Sequence, residues 1–179
     1  MGWGALGRLG STKSIAPQSL AGMISLGETL DLDFEVKALL AGEKWQGPFN
    51  ELLNGPTIVS VYMRNNTSSC DRQTQQMNEV APELRAAGIG LIGLSKDTFG
   101  SHQKYACKLD LDFPLVSDPD HLFAKATKSL VEKKMYGKIF FGPTRSAYLV
   151  DVDGAVKGVV ERIDSANHAE ELRRLAKAL

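Results

Sequence analysis

The sequence predicts an α/β fold with a mixed central sheet and helices on both faces. Short apolar runs rich in β-branched residues alternate with longer segments of helical period, which is typical of strand–helix–strand units. Towards the C-terminus, two further apolar runs are joined by an Asp-Gly turn, which predicts a hairpin and therefore antiparallel strands in the same sheet. The length of 179 residues suits one domain with a sizeable core.

The composition excludes several classes of protein. Lys and Arg total 21 and Asp and Glu total 21, so the basic excess typical of a nucleic-acid-binding protein is missing. No apolar run approaches the ~18 residues of a membrane-spanning helix, so neither nucleic acid nor a membrane is expected as a partner. Two cysteines and three histidines are too few and too scattered for a structural zinc site, and two cysteines make a disulfide scaffold unlikely. We therefore expect no metal and no cofactor.

The first 27 residues differ from the rest of the chain. They contain no Asp or Glu and carry Arg8 and Lys13 among several Ser, Thr and Gly residues. We predict an extension over residues 1–27 and a folded domain over 28–179. The extension has features of an organelle transit peptide, but a disordered or loosely docked segment, or a true start at Met23, explains it equally. The expected location is the cytoplasm, or an organelle if the segment is a transit peptide.

The first half of the domain shows clear strand and helix signals. Strict alternation over residues 30–36 predicts a half-buried strand, and the β-branched run over 57–62 predicts a central one. Helical spacing over about residues 69–87 predicts a helix that Gly88 ends. A second buried strand is expected over 89–94.

The next segments are shorter. Ser101 is expected to cap a helix that runs to about Leu109. Residues 113–116 are expected to be extended. Asp118 is then expected to cap a further helix with Pro119 in its first turn.

The C-terminal part is predicted to contain the hairpin, over residues 146–150 and 155–160, and a last helix over about 166–179. We expect the three histidines and a stretch of lysines to be solvated. Four aromatic residues are expected in the core. The residues concerned are His102, His121 and His168; Lys125, Lys128, Lys133, Lys134 and Lys138; and Tyr62, Phe113, Phe140 and Phe141.

Cys70 is the residue with the strongest chemical signal. It follows a buried strand and a polar loop, and it falls in the first turn of the next helix. A thiolate there would face unpaired backbone N–H groups and the positive end of the helix dipole. An unperturbed thiol, with pKa ~8.5, is mostly protonated at neutral pH, and a helix end supplies only ~0.3–1 kcal/mol. A reactive Cys70 therefore needs a cation from elsewhere in the fold; otherwise it is an inert buried cysteine.

Thr67-Ser68-Ser69-Cys70 after a strand resembles the Thr-x-x-Cys active-site loop of the peroxiredoxins. The resemblance covers about residues 28–179, and it is closest to the PrxQ, or bacterioferritin-comigratory protein, subfamily. It implies a thioredoxin-like fold and a thiol-dependent peroxidase that reduces hydrogen peroxide and organic hydroperoxides. The segments that resemble the subfamily in order are residues 93–97, 101–102, 112–118, 132–138 and 145–151.

The resemblance also implies roles for individual residues. Cys70 would be the peroxidatic cysteine, and Thr67 would hydrogen-bond the peroxide and the thiolate. Arg145 would be the cation that stabilises the thiolate and the charge on the departing oxygen. Backbone N–H groups of Ser69 and Cys70 would complete the anion site, and the product would be a sulfenic acid. Thr67 could also be only a helix cap, and Arg145 only a surface charge.

Cys107 is the remaining thiol, and the resemblance implies that it resolves the sulfenic acid. Some members place a resolving cysteine in this helix, although here it falls one position later; the other subfamily position is Gln75. The implied cycle forms an intramolecular Cys70–Cys107 disulfide, which thioredoxin reduces, in a monomer or weak dimer. A disulfide requires Cα atoms ~4.4–6.8 Å apart, so local unfolding of one or both helices is expected.

Met63 is a departure from the family pattern, because the loop normally has a proline seven residues before the cysteine. Methionine fills space but does not fix the backbone. The alternative function is therefore a thioredoxin-fold binding or chaperone-like module with weak or no peroxidase activity.

Overall fold

The structure, a computed structural model, describes residues 22–179. The predicted extension lies outside the described residues except for its last six, 22–27, of which Ile24 is buried and donates its N–H to the Thr127 carbonyl. The main sheet has seven strands. In order across it they are β2 (Glu43–Pro48), β1 (Glu35–Leu40), β5 (Leu115–Ser117), β4 (Gly90–Ser95), β3 (Thr57–Val61), β8 (Ala147–Val150) and β9 (Val156–Val160).

The sheet is mixed, as predicted. β3, β4 and β5 run parallel at its centre, and the remaining neighbours pair antiparallel. All five residues of β3 are buried, as expected of a central strand rich in β-branched residues. β6 (Leu130–Met135) and β7 (Lys138–Pro143) form a separate two-stranded hairpin.

Helices cover both faces of the sheet, which confirms the predicted fold class. One face carries α1 (Ser68–Ala86), α2 (Phe99–Leu109) and α4 (His168–Ala176). The other is covered by α3 (Leu122–Ala126), a short 3-10 helix over Phe49–Leu52 and the chain before β1. Among residues 22–179, no helix is long and apolar enough to cross a bilayer, and no group of His, Cys, Asp or Glu could hold a metal ion.

The chain around β3 folds as predicted. Helix α1 begins and ends within one residue of the expected bounds, and Gly88 beyond it has a φ of +75°, a conformation that favours glycine. The hairpin of β8 and β9 turns at Gly154, which also has a positive φ.

The prediction of a strand over residues 30–36 is only partly right. Leu30 and Leu32 are buried and their neighbours exposed, as the alternation required, but β1 begins at Glu35. The earlier residues are extended and bond to the segment after β2; for example, the Phe49 N–H donates to the Phe34 carbonyl. Alternation therefore identified an extended, half-buried segment without specifying its backbone partner. The hairpin partner β2 was missed.

Two predicted helix starts are wrong. Thr98, not Ser101, caps α2, and its hydroxyl accepts the Ser101 N–H. Asp118 does accept N–H groups from the start of α3, but that helix begins four residues later, at Leu122. For α2 the capping residue lies one turn before the predicted one, whereas for α3 the capping residue is the predicted one and the helix itself begins later.

The β6–β7 hairpin was not predicted from the sequence, and the expectation that its aromatic residues lie in the core is wrong. Phe140 and Phe141 are 40% and 65% exposed because the hairpin projects from the main sheet. Tyr62 and Phe113 are buried as expected. The lysines of this region are exposed as predicted, with the exception of the half-buried Lys133.

The prediction that the three histidines are solvated is also wrong. His102 and His168 are fully buried, and His121 is partly buried. Each buried imidazole has two ring nitrogens bonded to polar partners, which removes the cost of taking it out of water. Spacing alone did not reveal most of these partners because all of them except Glu171, which lies three residues after His168 on α4, come from other elements.

Candidate active site

The pairing of β3 with β8 brings the start of α1 close to Arg145. β3 runs antiparallel to β8, and the Val61 N–H donates to the Ser146 carbonyl at 2.8 Å. The end of β3, which leads into α1, therefore lies beside the residues that lead into β8. This pairing places Arg145 next to the first turn of α1.

Arg145 supplies the cation that the chemistry of Cys70 requires. Its Nη2 lies 3.4 Å from Cys70 Sγ and donates to Ser69 Oγ at 3.1 Å. The Cys70 side chain is fully buried, so solvent screens this pair little. Helix α1 starts at Ser68, and its first N–H groups add a positive end at the same place.

Gln73 fixes the other branch of the guanidinium. Arg145 Nη1 donates to Gln73 Oε1 at 3.1 Å, so three side chains of one helical turn hold a single arginine. The sequence analysis missed Gln73. Its spacing from Cys70 offered a signal, because residues three apart lie on the same face of a helix.

A buried polar network continues from Gln73 away from the sulfur. Gln73 Nε2 donates to Ser60 Oγ at 2.9 Å, and Ser60 Oγ lies 2.8 Å from His168 Nε2. His168 Nδ1 then contacts Glu171 Oε2 at 2.8 Å. The network joins β3, α1 and α4. Nothing in the sequence pattern signalled Ser60, His168 or Glu171 as parts of one cluster.

Thr67 occupies the N-cap position of α1 and is half-buried. Its hydroxyl makes no capping bond and instead donates to the Arg64 carbonyl at 3.2 Å. The bond uses the only proton of the hydroxyl and leaves its oxygen lone pairs as acceptors.

Met63 and Lys133 form the wall between the active-site loop and the β6–β7 hairpin. Lys133 Nζ donates to the Pro143 carbonyl at 2.7 Å and lies 3.2 Å from Met63 Sδ. Burial lowers the pKa of Lys133 below its ordinary value, and the nearby positive charges of Arg145 and Lys96 add to the effect. The rim of the site is therefore electropositive.

The loop before Thr67 is held from the side of α2. Tyr62 OH donates to Asn65 Oδ1 at 2.6 Å, and Asn65 Nδ2 contacts Ser101 Oγ and His102 Nδ1. His102 Nε2 lies 3.1 Å from the Val116 carbonyl, which can only accept a proton. Burial raises the pKa of Tyr62 and lowers the pKa of His102, so both are neutral in the folded protein.

Cys107 lies outside this assembly. Both cysteines are free thiols, and Cys107 is exposed near the end of α2. Tyr105, two residues earlier, faces α1, where its OH donates to Asp71 Oδ1 at 2.7 Å. Two residues turn a helix by about 200°, so Cys107 points away from α1. The structure thus brings Arg145 to Cys70 at the start of α1, where Thr67 is the N-cap residue, and leaves Cys107 apart.

Comparisons with known proteins show the family to which the chain belongs. Residues 32–159 match the model of the AhpC/TSA family. Peroxiredoxin Bcp of Xanthomonas campestris pv. campestris is 32% identical over 121 residues, which make up 68% of this chain and 76% of that protein. Peroxiredoxin Bcp of Escherichia coli K12 is 31% identical over 111 residues, or 62% of this chain and 71% of that protein.

Solved structures extend the likeness to the fold. A structure of the X. campestris bacterioferritin comigratory protein, described in connection with alkyl peroxide reduction, has a TM-score of 0.74 at 28% identity and covers 83% of this chain and 95% of its own. PrxQ of Xylella fastidiosa has a TM-score of 0.76 at 25% identity, with 87% and 96% covered. The thioredoxin-like fold is thereby confirmed. The chain belongs to the AhpC/TSA family, and within it to the Bcp/PrxQ peroxiredoxins that its Thr-x-x-Cys loop resembles.

Proposed function

We propose that this peroxiredoxin reduces hydrogen peroxide and organic hydroperoxides at Cys70. The observation that carries the proposal is the contact of 3.4 Å between Arg145 Nη2 and a fully buried cysteine at a helix start. The Cys70 thiolate attacks one oxygen of the peroxide. An S–O bond forms, the O–O bond breaks, and the departing oxygen takes up a proton to leave as water or an alcohol. The product on the enzyme is the sulfenic acid.

Arg145 and Thr67 have different roles in the transition state. The guanidinium faces the sulfur and stabilises both the thiolate and the negative charge that develops on the departing oxygen. The Thr67 oxygen retains acceptor capacity for the proton of the bound hydroperoxide. Gln73 and Ser69 hold the guanidinium in place before the peroxide arrives, so little reorganisation is needed during the reaction.

Cys107 completes the cycle in this proposal. Its thiol attacks the sulfenic sulfur, a Cys70–Cys107 disulfide forms, and water leaves. A dithiol reductant of the thioredoxin type then restores both thiols. Because Cys107 faces away from α1, helix α2 must move or partly unwind first. We propose a monomer or weak dimer as the working form, with no metal or cofactor in the reaction.

The decisive experiment compares the wild-type protein with Cys70→Ser in stopped-flow reactions with hydrogen peroxide and an alkyl hydroperoxide. The serine variant is nearly isosteric, so we expect an unchanged circular dichroism spectrum and complete loss of peroxide consumption. Near wild-type turnover in that variant would remove Cys70 from the mechanism. A wild-type protein that consumes no peroxide would favour the binding or chaperone-like alternative, which Met63 in place of the family proline suggests.

A further inference from the structure

The hydrogen bonds of the buried polar network behind Arg145 all run in one direction, from donor to acceptor. The Glu171 carboxylate can only accept, so His168 Nδ1 carries a proton and donates to it. At the other end the guanidinium can only donate, so Gln73 presents its oxygen to Arg145 and its amide nitrogen to Ser60. Each group thus donates towards Glu171.

Ser60 links Gln73, which holds Arg145, to His168, which is bonded to Glu171. Its oxygen accepts from Gln73 Nε2, and its own proton needs an acceptor. His168 Nε2, at 2.8 Å, is that acceptor when the imidazole is neutral with its proton on Nδ1. All four side chains from Gln73 to Glu171 are buried, so an unmade bond costs more here than at the surface.

The orientation of the Gln73 amide decides how Arg145 is held. Gln73 Nε2 donates to Ser60 and to the Val61 carbonyl, which leaves Oε1 facing the guanidinium. A flipped amide would place N–H groups against the guanidinium and an oxygen against the Val61 carbonyl. Ser60 opposes that flip only while its proton is directed at His168.

We propose that His168, oriented by Glu171, is a positioning residue for the reaction at Cys70, and that it acts through Ser60 and Gln73 on Arg145. It touches neither the sulfur nor the peroxide. The residue lies at the start of α4, so this helix contributes to the active site from beside α1, on the same face of the sheet. This inference rests on the proposed function and extends it to residues beyond the motif.

The test separates positioning from simple anchoring of α4. For each variant, the rate constant with hydrogen peroxide is divided by the rate constant with iodoacetamide. Both reagents need the thiolate, but only peroxide needs charge stabilisation on a departing oxygen. Loss of packing alone changes both rates together, whereas a displaced Arg145 lowers the ratio.

Two variants of His168 distinguish its nitrogens. The Gln side chain of His168→Gln reaches the position of Nε2 and can accept from Ser60, whereas the Asn of His168→Asn reaches only Nδ1 and the Glu171 side. We expect the ratio to fall about tenfold in His168→Asn, and His168→Gln to recover most of that loss. A wild-type ratio in His168→Asn would show that His168 only anchors the helix, and an equal fall of the ratio in both variants would exclude the route through Nε2 and Ser60.

Ser60→Ala provides the variant that is least prone to misfolding, because it removes one atom. We expect the same fall of about tenfold in the ratio. The matched control is Ser129→Ala, another buried hydroxyl, which is bonded to Thr127 and Ala124 and has no contact with this network. A wild-type ratio in Ser60→Ala would overturn the positioning role while the proposed function stands. A wild-type protein inert to peroxide would overturn the proposed function itself.

Discussion

Cys70 and Cys107 lie on neighbouring helices in opposite environments. Cys70 is fully buried at the start of α1, against a guanidinium and unpaired N–H groups. Cys107 is exposed near the end of α2, in an open surface depression with Leu40 and Leu111. The first thiol is surrounded by groups that stabilise negative charge, whereas the second has its exposed face towards solvent.

The difference teaches that the two chemical steps place different demands on the fold. Attack on peroxide needs a rigid, charge-stabilising site, and the surroundings of Cys70 provide one. Disulfide formation needs the thiols to meet, and α2 is tied to α1 by Tyr105 and by Asn78, whose side chain bonds the chain after α2. The contacts that hold α2 against α1 therefore oppose the second step.

Removal of the second thiol should give the largest effect on the full cycle. We expect Cys107→Ser to react once with peroxide at the wild-type rate and then to lose turnover supported by thioredoxin. Its sulfenic acid should also overoxidise more readily. Mass spectrometry after non-reducing digestion should find a Cys70–Cys107 peptide in the oxidised wild-type protein only. Normal turnover of Cys107→Ser without that peptide in the wild-type protein would indicate a one-cysteine mechanism.

Arg145 should have the next largest effect, and on the first step alone. We expect Arg145→Ala to slow the reaction with peroxide by about two to three orders of magnitude, on the scale of a lost oxyanion donor. The reaction with iodoacetamide should slow much less. Arg145→Lys keeps the charge but not the planar fork that reaches Gln73, Ser69 and Cys70, so it should remain well below wild type. Equal slowing with both reagents would show that Arg145 only stabilises the thiolate and does not act on the departing oxygen.

Tyr105 tests whether the contact between α1 and α2 limits the second step. Tyr105→Phe removes the hydroxyl that bonds Asp71 and lies 2.9 Å from Thr74 Oγ1. We expect a loss of about 0.5–1.5 kcal/mol in the free energy of unfolding and faster disulfide formation after one equivalent of peroxide. The control is Tyr148→Phe, a buried tyrosine bonded to Ser146 and outside this contact. Similar acceleration in both variants would contradict the assignment to α2.

His102 should give the smallest effect, seen as a dependence of stability on pH. Burial lowers the pKa of His102 in the folded protein, so the unfolded chain binds the proton more tightly. The stabilising contribution is complete above the ordinary histidine pKa of 6.5 and decreases as the pH falls from there towards the folded-state pKa. We expect the melting temperature to fall between pH 7.5 and 5, and to fall less in His102→Gln. Identical pH profiles would show that other groups cause the change.

Local pattern was sufficient for much of the fold. Three features could be predicted because each depends only on neighbours in sequence: the β-branched run of β3, the helical period of α1 and the end of that helix at Gly88. The β6–β7 hairpin was not, because its aromatic residues are exposed although their composition is typical of a core. Burial of those side chains depends on which part of the chain lies opposite, and that information is not local.

For the candidate active site, the sequence by itself determined the position of Cys70 and its loop. The order of strand, polar loop and Cys70 at a helix start specifies a thiol at the positive end of a dipole, and the family motif adds Thr67 and Arg145. The tertiary structure alone decided that Arg145 reaches Cys70, since the pairing of β3 with β8 brings together residues far apart in sequence. It also decided that His168 is buried on Ser60 and that Cys107 faces solvent. Hydrogen bonds and burial depend on distance in space, and only the packed sheet and helices set those distances.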